Sequence, residues 1–102
     1  MVHQHVQEKL PEIIAVLKKH GVNKAYLFGS VCTDRFSLDS DVDFLIAFDK
    51  NLKPNQRGAF HLNLYDALEQ VLNRKVDLVT EDFLTNSYFI KVLNLTKTAL
   101  YE

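Results

Sequence analysis

Near the start of the chain, apolar residues return at intervals of three and four: Val6, Leu10, Ile13, Ile14 and Leu17. That interval lines them along one stripe, so the spacing predicts a helix within His3 to His20. Gly21 stands where a helix end favours a residue that tolerates positive φ. Pro11 lies inside the stripe, so the helix starts just before it or bends there. The period then changes. Lys24 to Phe28 (KAYLF) reads as a short strand that stops at Gly29-Ser30. Asp41 to Phe48 (DVDFLIAF), rich in β-branched and aromatic residues, reads as a second. Lys50 to Gly58 (KNLKPNQRG) is polar and turn-rich, a loop by composition. Helical spacing resumes with Phe60, Leu64, Leu68, Val71 and Leu72, and Lys75 to Val79 (KVDLV) is a third strand. Thr80, Asp82 and Ser87 supply helix-start chemistry ahead of a last helix over Tyr88 to Leu95. The final TALYE fits a further helical turn or a strand equally well.

Helices interleaved with short strands describe an α+β (α/β-like) fold, a small mixed sheet with helices packed against it. A chain of 102 residues holds one core, so residues 1–102 are expected to form a single domain. The net charge of −1 argues against a protein that wraps extended nucleic acid. Cys32 is the only cysteine, which excludes an intrachain disulfide and a multi-thiolate zinc cage. The opening MVHQHVQEKL lacks the apolar core of a signal peptide, and no apolar run is long enough to span a bilayer. The expectation is a cytoplasmic protein without membrane partners. His3, His5, His20 and His61 show no metal-ligand spacing and are expected to be structural. Lys53, Arg57, Arg74 and Lys75 are expected on the solvated surface, with polyanion steering by Arg74 and Lys75 as the lesser reading. Phe60, Tyr65, Phe83, Tyr88 and Phe89 are expected to fill the core or mark a contact surface.

Two carboxylates interrupt the strand richest in core formers. Residues i and i+2 of a strand face the same side, about 6.6 to 7 Å apart along the chain. Asp41 and Asp43 therefore point together while Val42 turns inward. Like charges at that spacing raise at least one pKa, and burial adds to the effect. A divalent cation removes the conflict, and magnesium commonly takes one or two carboxylates plus substrate phosphates. Asp77 is a lone charge in the apolar KVDLV strand. If that strand lies beside the one carrying Asp43, three acids meet and could hold two metals. Taken singly, the Asp-x-Asp reads more readily as an edge or turn feature and Asp77 as a solvent-facing strand residue; the functional case rests on the combination.

Gly29-Ser30 follows a strand and is expected to open a short helix. Glycine lets the backbone approach a ligand closely, exposed N–H groups at a helix start favour anions, and the serine hydroxyl can donate to a phosphate. A phosphate grip beside a metal site suits a nucleoside triphosphate. With Phe28-Gly29-Ser30 followed by Ser40-Asp41-Val42-Asp43-Phe44-Leu45-Ile46, the chain resembles the nucleotidyltransferase superfamily that includes DNA polymerase β. More closely it resembles the minimal nucleotidyltransferases (MNT), which are about this short and whose Gly-Ser to Asp-x-Asp spacing it shares. The resemblance implies a nucleotidyltransferase fold. It implies Mg2+-dependent transfer of a nucleoside monophosphate, AMP from ATP, to a hydroxyl. Asp41, Asp43 and Asp77 would be catalytic and bind two magnesium ions, and Asp77 would assist deprotonation of the acceptor. Gly29, Ser30 and Arg35 would contact the nucleotide. Where minimal members often carry Ala-Arg-Gly after the Gly-Ser, this sequence has Cys32, Thr33 and Asp34, with Arg35 slightly later. The implied partner is a HEPN toxin, with the chain as antitoxin in a homodimer or mixed complex. The alternative is an antitoxin of weak or no catalysis that neutralises its HEPN partner by binding alone.

Overall fold

In a computed structural model, which describes residues 3–33, 40–81 and 86–102, the chain forms a four-stranded sheet with helices on both faces. The elements run α1 (Gln4–Gln7), α2 (Leu10–Lys19), β1 (Val22–Phe28), a 3-10 turn (Gly29–Cys32), β2 (Val42–Phe48), α3 (Pro54–Leu72), β3 (Val76–Thr80), α4 (Ser87–Thr96) and β4 (Thr98–Tyr101). The strand order is β3-β2-β1-β4. β1 pairs antiparallel with β2 and with β4, and β2 pairs parallel with β3, so the sheet is mixed. A parallel neighbour needs a crossover, and α3 supplies it.

One sheet face presents Ala25, Leu27, Val42, Phe44, Ile46, Phe48, Val76 and Leu78 to the stripes Ile13/Leu17 of α2 and Leu64/Leu68/Leu72 of α3. The opposite face carries a smaller cluster in which Leu93 of α4 closes over Phe28 and Leu45, flanked by Tyr26 and Val79. Covered on both sides, β2 buries Phe44, Leu45 and Ile46 in succession, which is why its sequence runs apolar where a one-sided strand would alternate. Burying one such side chain contributes about 1.5–3 kcal/mol. α4 reaches only part of its face. β1 finishes at the same end of the sheet where β2 and β3 begin.

The structure settles two open points and moves one expected boundary. The leading helix is two, because Pro11 sits in the first turn of α2 and forces the chain to restart there. Gly21, at φ +75°, completes the α2 end, and its carbonyl accepts from the Asp49 N–H at 2.8 Å. The expected loop over Lys50 to Gly58 ends early: α3 begins at Pro54, whose missing N–H costs nothing in a first turn. The Lys53 N–H donates to Gln56 Oε1 at 2.9 Å, securing that start. TALYE resolves into strand β4, held at the outer edge of β1 by pairing and by the Tyr101 hydroxyl, which donates to the Val22 carbonyl at 2.7 Å. Among the described residues no helix is long and apolar enough to cross a membrane. Phe60 and Tyr65 pack against the main core, whereas Tyr88 is exposed; Phe83 and the Phe89 side chain lie outside the description.

Candidate active site

At the end of the sheet where β1 finishes and β2 and β3 begin, three strands bring three positions into line. Phe28, last in β1, pairs with Asp43, and Asp43 pairs in register with Asp77 across the parallel β2–β3 ladder. Register partners face the same side, so both carboxylates project from the sheet face opposite Val42 and Phe44. Asp41 precedes β2 by one residue and shares that parity, while Val42 between the two acids is fully buried. Asp43 is half-buried; Asp41 and Asp77 are exposed.

Electrostatics reports the crowding. The Asp43 carboxyl is pushed up to about 6, first by burial, then by the negative charges of Asp77 and Asp41. The Tyr65 phenol on α3 is raised as well, by burial and then by the field of Asp77, Glu69, Asp41 and Asp43. Tyr65 thus stands within electrostatic reach of the acids, a neighbour expected from the sequence to fill the core or mark a contact surface. Its place three residues before Leu68 on a core-facing helix offered no signal for that second environment.

The strand starts that carry the acids are tethered. Arg74 donates from Nη1 to the Ser40 carbonyl at 3.1 Å, the Val42 N–H donates to the Lys75 carbonyl at 3.1 Å, and the Val76 N–H donates to Glu69 Oε2 at 3.3 Å. Arg74 was expected to be solvated surface; instead it is half-buried and anchors the residue before Asp41. Lys75 keeps an exposed side chain, as expected.

Gly29 begins the 3-10 turn at φ +76°, a conformation that side-chain-bearing residues rarely adopt. A Cβ there would collide with the Asp43 carboxylate, so the turn and the central acid touch only because the residue is glycine. The turn is pinned from outside by the His3 N–H, which donates to the Val31 carbonyl at 3.1 Å, and by its own Gly29 N–H, which donates to Thr96 Oγ1 at 3.3 Å. Ser30 is half-buried beside it. Arg35, with Asp34, lies outside the described residues.

Chemically, the cluster is a set of hard oxygen donors with excess negative charge beside a backbone turn. Among the described residues no group of three or more His, Cys, Asp or Glu side chains is placed to hold a metal ion, so Asp41, Asp43 and Asp77 are not a ready-made ligand set. Magnesium needs no such set: it retains water, takes phosphate oxygens and commonly uses one or two carboxylates, which the in-register Asp43 and Asp77 offer. The four histidines take no part in such a set: His20 Nδ1 bonds the Val16 carbonyl at 2.8 Å, and the His61 ring lies edge-on to Phe48 and Tyr65.

The sequence pattern of the family described as "Polymerase beta, Nucleotidyltransferase" matches residues 11–102. The chain belongs to that nucleotidyltransferase family. A Methanocaldococcus jannaschii relative, provisionally named a protein adenylyltransferase (MJ1379), is 34% identical over 90 residues, covering 80% of this chain and 88% of its own. Among solved structures, one provisionally described as a minimal nucleotidyltransferase superposes with a TM-score of 0.76 at 27% identity, covering 100% of this chain and 97% of the other. A chain from a complex of tri-AMPylated Shewanella oneidensis HEPN toxin with MNT antitoxin gives a TM-score of 0.65 at 22% identity, covering 93% and 71%. At that identity the likeness speaks for the fold. The α+β architecture expected from the sequence is thus the nucleotidyltransferase fold.

Proposed function

We propose that this nucleotidyltransferase transfers AMP from ATP to a hydroxyl of a HEPN-family toxin and thereby acts as its antitoxin, in the cytoplasm. The observation that carries the reading is the in-register Asp43–Asp77 pair, with Asp43 against the Gly29 turn and Asp41 two residues before it. The likeness to an MNT antitoxin found with AMPylated HEPN toxin supports the choice of acceptor.

Asp41, Asp43 and Asp77 would hold magnesium, the only ion chemistry needed: neutralising the triphosphate and sharpening the acceptor oxygen as nucleophile. Asp43, half-buried and fixed in mid-sheet, sets the position. Asp41 and Asp77 are exposed, and side chains outside the packed interior reorient at little cost when the nucleotide arrives. The Gly29–Ser30 turn seats the triphosphate, and Arg35 adds a cation to it. The acceptor oxygen attacks the α-phosphorus, the bond to the β-phosphate breaks, and pyrophosphate leaves. The hydroxyl proton passes toward Asp77. Positioning and charge neutralisation account for such catalysis, since phosphoryl transfer asks little covalent chemistry of the protein.

The test incubates the chain with magnesium, α-labelled ATP and a HEPN protein encoded beside it. Label should reach the HEPN protein and fall by more than about 100-fold in Asp41→Asn, since even outer-shell metal partners matter by about 10- to 100-fold. If Asp41→Asn protects cells from the toxin as well as the parent chain does, neutralisation is by contact alone and the catalytic reading is wrong.

A further inference from the structure

Three consecutive residues where α4 passes into β4 each reach back to the β1-turn unit. Thr96 Oγ1 accepts from the Gly29 N–H at 3.3 Å, Lys97 Nζ stands 4.9 Å over the Tyr26 ring, and Thr98 Oγ1 donates to Cys32 Sγ at 3.6 Å. The contacts bracket the turn: Tyr26 lies three residues before Gly29, and Cys32 is its last residue. None is local in the chain, since Thr96 and Gly29 are 67 positions apart. The Gly29 N–H needs such a partner. The residue is held at positive φ against the Asp43 carboxylate, and its N–H donates to the Thr96 hydroxyl. A backbone donor at that place would otherwise turn to a nearby acceptor, and the Asp43 carboxylate is adjacent.

We infer that Thr96 is a positioning residue for nucleotide transfer: by accepting the Gly29 N–H, its hydroxyl fixes the orientation of the turn that seats the triphosphate. The inference rests on the proposed reaction only for its functional consequence; the tether itself is a separate claim. Thr96 does not touch the reacting atoms. It acts through Gly29, and the cation over Tyr26 and the Thr98–Cys32 bond hold the rest of the unit in place. Losing one neutral hydrogen bond of this kind corresponds to roughly a fivefold change in an equilibrium.

The test compares the full chain with Thr96→Val, which keeps the branched shape and deletes the acceptor, and Thr96→Ser, which restores it. Hydrogen exchange at the Gly29 amide, followed by NMR without nucleotide, should quicken roughly fivefold in Thr96→Val and return to the parent rate in Thr96→Ser. Titration with ATP and magnesium should show the same loss in affinity, and in turnover KM should rise with kcat within about twofold. Thr96→Ala repeats the comparison should the valine variant fail to fold. An unchanged Gly29 exchange rate, or parent-like ATP affinity in the hydroxyl-less variant, overturns the inference. If the parent chain itself binds no ATP while Gly29 exchange responds as stated, the tether stands and the nucleotide-transfer reading is what fails.

Discussion

Replacing Asp43 by asparagine keeps the shape of the side chain and removes its charge. In the folded protein the Asp43 carboxyl titrates near 6 against an ordinary 3.8, because burial and the neighbouring Asp77 and Asp41 oppose ionisation. A folded-state pKa above the unfolded one means that folding favours the protonated acid. The penalty is therefore absent below about pH 4, grows as pH rises to 6, and is constant above it. At about 1.36 kcal/mol per pH unit the difference amounts to about 3 kcal/mol, an upper bound for a half-buried group. Solvent screening leaves roughly 1–2 kcal/mol. Asp43→Asn should then be more stable than the parent at pH 7.5 without divalent cations, by on the order of 5–10 °C in Tm for a domain of this size. At pH 4 the two should melt together. Thermal denaturation monitored by circular dichroism at pH 4, 5, 6 and 7.5 in chelator gives the curve. Adding millimolar magnesium with ATP should raise the Tm of the parent and leave Asp43→Asn where it was, because only the parent gains a native-state ligand. A variant less stable than the parent at pH 7.5, or a gap that does not change with pH, would refute the account of crowded carboxylates.

Two further substitutions probe the scaffold. Arg74→Met should lower stability by about 1.5 kcal/mol, the contribution of a charged donor, and should weaken ATP-magnesium binding because the Ser40 carbonyl loses its anchor; unchanged urea unfolding would contradict this. Gly58→Ala should raise stability by about 0.5–1 kcal/mol, since Gly58 lies within α3 and nothing stands within 4 Å of the added Cβ; a lower urea midpoint would show an unseen packing demand.

How much of this was readable from the chain depends on distance along it. The stripes of α2 and α3 and the apolar, β-branched run of β2 are encoded within a few residues, so spacing and composition exposed them directly. The shared facing of Asp41 and Asp43 followed from the strand's period of two, and the need for glycine before Ser30 from turn chemistry. Pro54 misled because its effect depends on position: the same residue that breaks a helix interior opens α3. TALYE was undecidable because four or five residues carry too little pattern; an unpaired edge of β1 made it a strand. The Asp43–Asp77 register, the Arg74–Ser40 anchor and the Thr96–Gly29 tether span 34 to 67 residues of sequence. Such pairings are selected by the packing of whole elements, which no window of neighbouring residues contains. Local pattern therefore determined which groups this protein possesses and the side each one faces, and only the assembled sheet decided which of them meet.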